Sequence, residues 1–322
     1  MKKYIILATA ALALAACSNE EENVQAWNGE ISLSAVSVSQ STRAAGQAVQ
    51  STLFDEGGSI DVFINENTTG TPSTTYEQPL VYYTGSMGSL IASSTQYYPS
   101  SGNGINVFAV YPNNVAGTDV NATAVTFNVR ADQSTVVNYK GSDLMVGAPA
   151  SNPVARTATT IPLIFKHCMT KINLNILPSD GLSISALDNA YVQIEGITND
   201  ATFNVKTGAV TAVERSDSAY ISLGNMSVNN PDDKSIAVSA IMVPQTVAAG
   251  TPFIKITLNP TGATTSTTLT YTLPSGDSIT FDPSKVYTFN ITARNSGLNI
   301  DSSTITPWID GGTFTGDAIP GN

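Results

Sequence analysis

The sequence predicts an all-β protein built from two tandem β-sandwich domains. Short apolar stretches recur along the chain and alternate with polar residues at a period of two, the pattern of half-buried strands. No stretch of a dozen or more residues carries an apolar stripe at helical spacing with capping residues at its ends. Many short strands without intervening helices favour sandwiches over a sheet with crossover helices.

The strands can be followed along the chain. A first strand is predicted over 30–40, and 161–177 is interpreted as one strand. Lys206-Thr207-Gly208 lies between two apolar segments and predicts a hairpin turn. The alternating sets that define half-buried strands are Ile31, Leu33 and Ala35; Val125, Phe127 and Val129; Ile254, Ile256 and Leu258; Leu269, Tyr271 and Leu273; and Tyr287, Phe289 and Ile291.

The first seventeen residues have the pattern of an export signal. Lys2 and Lys3 precede an apolar run over 4–14, which ends in Leu14-Ala15-Ala16-Cys17. The run is too short to span a bilayer as a helix. A cysteine after small residues resembles a bacterial lipobox, in which 1–16 is removed and Cys17 carries the lipid that holds the protein on a membrane. The alternative is an ordinary signal peptide that contains a cysteine.

The length of the chain and a cluster of prolines and small residues indicate the expected domains. A polar, acidic segment over 17–29 is predicted to be a solvated linker. About 305 residues remain after cleavage, enough for two domains. Prolines and small residues cluster over 148–153. We therefore expect an N-terminal sandwich over 30–150 and a C-terminal sandwich over 151–322.

The composition argues against nucleic-acid binding and against a disulfide bond. The net charge is -11, so the protein should be repelled by nucleic acid. The chain has two cysteines, and if Cys17 is lipidated then Cys168 has no partner for a disulfide.

The sequence indicates no catalytic residue, no metal site and no cofactor. The chain has one histidine, His167, beside Cys168. Adjacent residues on a strand point to opposite faces, so a cysteine–histidine nucleophile is disfavoured and a buried thiol with a hydrogen-bonded histidine is expected. One cysteine and one histidine do not supply a zinc site, and no dense set of oxygen ligands for calcium is present. Paired carboxylates of a surface glycosidase could come from distant residues, but no pattern suggests them.

Several short segments occur in a fixed order along the chain. The lipobox is followed by Val107 to Pro112, then by Asp132-Gln133 with Ser142 to Met145. The remaining segments are Leu163 to Ile172, Val243-Pro244-Gln245, Phe281 to Tyr287, and Ile305 to Trp308. Together with the lipobox, this ordered set resembles the fimbrillin family of Bacteroidales. Ser284 stands where the family often has glycine, which should affect only a turn.

The resemblance implies two transthyretin-like sandwiches, export as a lipoprotein and assembly into a surface pilus by strand exchange with other subunits. Ser41-Thr42-Arg43-Ala44 resembles the site where an arginine-specific protease removes the N-terminal segment of stalk pilins. The tail over 298–322 is the candidate donor strand, with apolar side chains from Leu298, Ile300, Ile305, Trp308 and Ile309. Asp217-Ser218-Ala219 and Asp277-Ser278-Ile279 resemble an O-glycosylation pattern of Bacteroidetes, with Ser218 and Ser278 as acceptors.

We therefore expect a structural pilus subunit or a tip adhesin without enzymatic activity. It should be exposed at the cell surface and held on the outer membrane by lipid. Its expected partners are other pilus subunits and, in addition, a ligand on a host or bacterial surface. The alternative is a monomeric, lipid-anchored protein that binds glycans or host matrix.

Overall fold

The computed structural model describes residues 27–37, 54, 57–214, 219–228, 234–258, 266–276 and 278–308. These residues form strands with almost no helix, which confirms the all-β class. One short helix, α1 (Val136–Gly141), is present among them. The strands are β1 (Leu33–Ser37), β2 (Ser59–Glu66), β3 (Leu80–Thr84), β4 (Ser89–Ala92), β5 (Ile105–Tyr111), β6 (Val125–Asn128), β7 (Met145–Ala148), β8 (Ile161–His167), β9 (Thr170–Pro178), β10 (Tyr191–Ile197), β11 (Asp200–Phe203), β12 (Val210–Ala212), β13 (Ala219–Asn225), β14 (Ile236–Met242), β15 (Gln245–Val247), β16 (Pro252–Leu258), β17 (Thr267–Thr272), β18 (Ile279–Phe281), β19 (Lys285–Arg294) and β20 (Gly297–Pro307).

The N-terminal strands close into a barrel in the order β1-β4-β3-β2-β5-β7-β8. All neighbours in it are antiparallel except β1 and β8, which run parallel and complete the ring. The interior is a separate apolar core, to which alternate residues of each strand contribute. Among its members are Leu33, Val62, Leu80, Leu90, Val107, Met145 and Leu163.

The C-terminal strands form two four-stranded sheets with the orders β13-β10-β16-β17 and β14-β9-β19-β20. A three-stranded sheet, β12-β11-β6, and the pair β15-β18 complete the second unit. Its core also includes Phe63, Val110, Leu144 and Val146, which belong to the barrel segment of the chain and are buried against the second unit. The barrel and the C-terminal sheets therefore share an apolar interface.

Sheet membership departs from the predicted division at residue 150. Strand β8 follows that point in the chain and still hydrogen-bonds to β7 and β1 in the barrel. Strand β6 precedes it and pairs with β11 of the second unit. The sheets thus divide the chain at Cys168, and a segment from the first half is inserted into the second. Two tandem transthyretin-like domains remain a prediction.

The single strand predicted over 161–177 is wrong. Two strands, β8 and β9, cover this segment and lie in different sheets. Cys168 interrupts the run, because its backbone N–H donates to the carbonyl oxygen of Leu144 at 2.8 Å. The buried side chains of β8 are at odd-numbered residues (161, 163, 165 and 167), whereas those of β9 are mostly at even-numbered residues (170, 172, 174 and 176), so the alternation changes phase at the break. The hairpin at Lys206-Thr207-Gly208 is confirmed and joins β11 to β12.

Candidate assembly site

The first strand occupies a gap in the barrel wall that we call the β1 slot, the space between β4 and β8. Leu33 pairs with Ile161 and Ala35 with Leu163 in the parallel ladder. Only Leu33 and Ser34 pair with β4 on the other side. Strand β1 is therefore held mainly by a parallel ladder, which is slightly less stable per residue than an antiparallel one.

One face of the first strand fills the barrel core. Ile31, Leu33 and Ala35 have exposed fractions of 5%, 3% and 1%, which confirms that these three residues share a face. Burial of two large aliphatic side chains contributes about 4 kcal/mol. Without β1, the slot would present an apolar groove bordered by unpaired backbone groups of β4 and β8.

The residues just before β1 contact the barrel, although several of their side chains are exposed. The guanidinium carbon of Arg156 lies 4.9 Å from the ring centre of Trp27, and Tyr98 meets the same indole edge-on at 5.8 Å. The backbone N–H of Tyr98 donates to the carbonyl oxygen of Gly29 at 2.8 Å. Part of the predicted linker over 17–29 thus belongs to the fold. In the sequence, Trp27 is an isolated tryptophan in an acidic segment, and no local pattern indicates that it contacts Arg156 and Tyr98.

The last described strand, β20, lies at the edge of its sheet. It pairs with β19 along its whole length, from Arg294↔Gly297 to Lys285↔Pro307. No side chain between Gly297 and Pro307 is fully buried. Leu298 and Ile300 pack partly buried against the core, and Ile305 is 42% exposed. The ladder to β19 therefore holds this strand more than side-chain packing does.

A buried tryptophan follows β20 directly. Trp308 is 1% exposed and stacks on His167, with ring centres 3.9 Å apart and planes 7° apart. Its backbone N–H donates to the carbonyl oxygen of Ser284 at 2.7 Å. We call His167, Asp143 and Ser284 the Trp308 seat. This seat connects the end of β20 to the junction between the barrel and the second unit.

Hydrogen bonds fix the residues of the Trp308 seat. His167 Nδ1 and Asp143 Oδ1 are 2.7 Å apart, and both side chains are buried. The hydroxyl of Ser284 donates to the carbonyl oxygen of His167. Ser284 has a φ of +58°, so this serine adopts the left-handed turn conformation that glycine favours. The serine at this position affects more than the turn that the sequence predicts, because its hydroxyl also makes a hydrogen bond to His167 that glycine could not make.

The Cys168 thiol and the His167 imidazole do not form a nucleophilic pair. Burial raises the pKa of the Cys168 thiol to about 12, so this side chain is protonated at neutral pH. The imidazole is engaged by Asp143 and covered by Trp308. Lys171 is also buried near this cluster, and burial lowers its pKa to about 8 despite the attraction of Asp143. These groups are structural.

The remaining predicted site residues are dispersed. Cys17, Arg43, Ala44, Ser218 and Ile309 lie outside the described residues. Ser278 is exposed just before β18 and stays a candidate acceptor. Within the described ranges no group of three acidic, histidine or cysteine residues could hold a metal ion. In the same ranges, no helix is long and apolar enough to cross a membrane.

Comparisons with known proteins agree with the resemblance found in the sequence. A family model described as fimbrillin-like matches residues 42–308. A second model, for a prokaryotic membrane lipoprotein lipid attachment site, matches residues 1–18. A search of curated proteins finds no match.

Solved structures share the fold. A candidate cell adhesion protein from Bacteroides uniformis has a TM-score of 0.62 at 22% identity, covering 88% of this chain and 99% of that chain. Another, from Bacteroides ovatus, has a TM-score of 0.65 at 18% identity with the same coverage. At these identities the likeness establishes the fold alone.

Proposed function

The chain belongs to the fimbrillin-like family, and we propose that it is a pilus subunit that is assembled by strand exchange on the cell surface. The family consists of structural pilus proteins, and the chain is not an enzyme. A lipid attachment site at its start supports anchoring through Cys17. The observation that carries the proposal is that β1 closes the barrel mainly through its parallel ladder to β8, with only two residues paired to β4.

The β1 slot is the proposed acceptor. Arg43 follows β1 by six residues in the chain, so cleavage after Arg43 would separate β1 and the lipid from the rest of the subunit. Departure of β1 would uncover the slot, and a strand from another subunit could fill it through main-chain pairing with β4 and β8. Alternate apolar side chains of the donor would replace Ile31, Leu33 and Ala35.

The C-terminal segment is the proposed donor. Strand β20 is an edge strand, so its release from β19 breaks one ladder and leaves the rest of the sheet intact. Leu298, Ile300 and Ile305 stand among polar residues, with a register shift of the β19–β20 ladder between the last two, and could enter the slot of a neighbour. Trp308 must leave its seat first, and Ile309 would extend the donor. The partners are copies of this chain or other pilus subunits.

The location proposed for the polymer is the outer surface of the outer membrane. The acidic residues Glu20, Glu21 and Glu22 follow the lipidated cysteine and resemble a surface-export signal of Bacteroidetes lipoproteins. A position at the tip of the fimbria would make the chain an adhesin, and a position in the stalk would make it a structural subunit.

Strand exchange is tested by changing the cleavage site and removing the donor strand in separate variants. Arg43→Ala and Arg43→Lys should both abolish heat-resistant polymer ladders from surface preparations, because an arginine-specific protease rejects both. Arg130→Lys, at an exposed position, is the matched control and should polymerise normally.

A chain truncated before Leu298 should act as a terminator, since it retains the slot and lacks the donor. Co-expressed with the complete chain, it should shorten the ladders, whereas a misfolded subunit would have no effect. Normal ladders with the Arg43 variants and no shortening by the truncated chain would contradict strand exchange.

A further inference from the structure

An exposed tyrosine stands between two depressions on the outer face of the sheet β13-β10-β16-β17. The Tyr220 side chain on β13 is 48% exposed and borders both depressions. Each depression has a volume of about 230 Å³. The first is lined by Asp132, Ser134, Tyr191 and Ser222, and the second by Glu195, Gly196, Thr251 and Pro252. We call Tyr220 with these two depressions the Tyr220 face.

Backbone irregularities on either side of Tyr220 coincide with the depressions. The β10–β13 ladder shifts register twice, between Val192 and Gln193 and between Glu195 and Ile197. Such bulges re-aim side chains and are frequent beside functional sites. The second bulge includes Gly196, with a φ of +70°, where an added Cβ would lie 2.1 Å from the Thr251 methyl. This bulge therefore requires glycine at position 196.

Gly224 has the same role in the first depression. Its φ is +76°, and an added Cβ would lie 2.6 Å from the Cβ of Ser134. This close approach brings the segment around Asp132 against β13, where the Ser222 N–H donates to the carbonyl oxygen of Ala131 at 2.7 Å. Two glycines therefore shape the two sides of one aromatic residue.

Polar groups in the depressions are mostly hydrogen-bond acceptors and are held in place. The Ser134 N–H donates to Asp132 Oδ1 at 2.9 Å, and hydrogen bonds from Ser134 hold the pKa of the Asp132 carboxyl below its usual value. The Ser222 hydroxyl donates to the Tyr191 hydroxyl oxygen at 2.6 Å. In the second depression, Glu195 Oε1 lies 3.1 Å from Lys255 Nζ.

We propose that the Tyr220 face binds a neutral carbohydrate. A pyranose ring has an apolar face of C–H groups and a rim of hydroxyls. The exposed Tyr220 ring offers a flat apolar surface on which the C–H face can pack. Asp132 and Glu195, one on each side of Tyr220, can accept hydrogen bonds from the sugar hydroxyls, and hydrogen bonds to an ionised acceptor are stronger than those to a neutral one. A few fixed polar groups around an apolar surface are the usual composition of a small-molecule site.

Charge narrows the ligand class. The Asp132 carboxylate and the net charge of -11 disfavour sialylated or sulfated sugars, because like charges would be brought together. A basic peptide is the competing partner, and Lys255 counts against it because this ammonium already pairs with Glu195. The inference goes beyond pilus assembly and concerns what the subunit contacts, so it is tested on protein that has not polymerised.

The experiment uses the full-length lipoprotein in nanodiscs, applied to a printed array of neutral, sialylated and sulfated oligosaccharides and of lysine-rich peptides. The neutral sugar with the highest signal is then titrated, with empty nanodiscs as a blank. Tyr220→Ala should weaken binding by at least about tenfold, and Tyr220→Phe, which keeps the ring, should retain it within about threefold. Tyr83→Ala, at a tyrosine 46% exposed on the barrel, is the matched control and should bind normally.

Each outcome decides the proposal. Selective loss in Tyr220→Ala, with weakening in Asp132→Asn and Glu195→Gln, supports a carbohydrate site at this face. No signal for any neutral sugar, preference for acidic sugars or for the peptides, or equal binding by Tyr220→Ala would overturn it. A polymerisation defect would not affect these readings, because the nanodiscs present single subunits.

Discussion

Single side chains complete the backbone ladders of this protein at two positions. The Gln133 amide donates from Nε2 to the carbonyl oxygen of Ile241 at 2.6 Å and accepts from the Ile241 N–H at 2.9 Å. Gln245 makes the same pair of bonds to Thr198, at 3.0 Å and 2.8 Å. Both glutamines belong to segments that identified the family. Their sequence positions were recognisable, but their roles depend on tertiary pairing that no local pattern encodes.

Gln133→Glu should destabilise the folded state by about 2–3 kcal/mol, because the variant loses a donor and leaves the buried Ile241 carbonyl unpaired. Chemical denaturation measures the loss. Gln96→Glu is the matched control, since the Gln96 side-chain amide donates to nearby Ser94 and lies near the surface. Equal stabilities of the two variants would show that the Gln133 amide does not substitute for a backbone pair.

Cys168 should be inert in the folded protein. Its thiol is buried and has a pKa raised to about 12, so iodoacetamide at pH 8 should label it only after denaturation in urea. Cys168→Ala should cost about 1 kcal/mol of stability through lost packing. Rapid labelling of the native protein would contradict this placement.

Lys171 should make stability rise with pH in the alkaline range. The folded pKa of about 8 lies below the ordinary value of 10.5, so the unfolded state binds more protons between these values. Relative to Lys171→Met, the free energy of unfolding of the wild type should therefore increase by about 2 kcal/mol from pH 7 to pH 10. Comparison with this variant cancels the titration of tyrosines. A pH-independent difference would show that Lys171 is solvated.

At the scale of elements, the alternation of apolar and polar residues predicted which face of each strand is buried, but it did not predict where strands end. The sets beginning at Ile31, Ile254 and Tyr287 have their apolar members buried, as a period of two requires. The break at Cys168 was missed because no glycine or proline marks it, although the apolar alternation changes there from odd-numbered residues such as Leu163 and Phe165 to even-numbered ones such as Ile172 and Leu174. The pairing of β6 with β11 could not be predicted either, since partners such as Asn128 and Asp200 are far apart in the sequence and leave no local signal.

Trp308, directly after β20, is fully buried, whereas Leu298 and Ile300 on the strand are only partly buried. Trp308→Ala should raise amide hydrogen exchange across Gly297–Pro307 at least about tenfold, with smaller changes elsewhere, because only the ladder and these partly buried side chains then hold the strand. Ile305→Ala is the control on the same strand, and its 42% exposed side chain should matter little. Equal protection of β20 in both variants would mean that the Trp308 seat does not hold the strand.

The whole molecule combines a lipid attachment site, a barrel closed by its first strand and a C-terminal sheet with an accessible edge strand. Sequence reasoning reached the family, the lipid site and the all-β class, since each depends on local patterns in order along the chain. The Tyr220 face and the contact of Arg156 with Trp27 were not predicted from the sequence. Both are assembled from segments distant in sequence, where bulges and glycine conformations decide the geometry.

The central claim is that β1 leaves the barrel when subunits polymerise, and the N-terminal residue of the polymerised chain tests it most directly. Surface fimbriae are isolated, heat-resistant multimers are cut from the gel, and their N-terminus is sequenced. We predict that the chain begins at Ala44, with β1 and the lipidated Cys17 absent. Multimers whose subunits begin at Cys17 and retain β1 would contradict the exchange mechanism, because the β1 slot would still be occupied by the subunit's own strand.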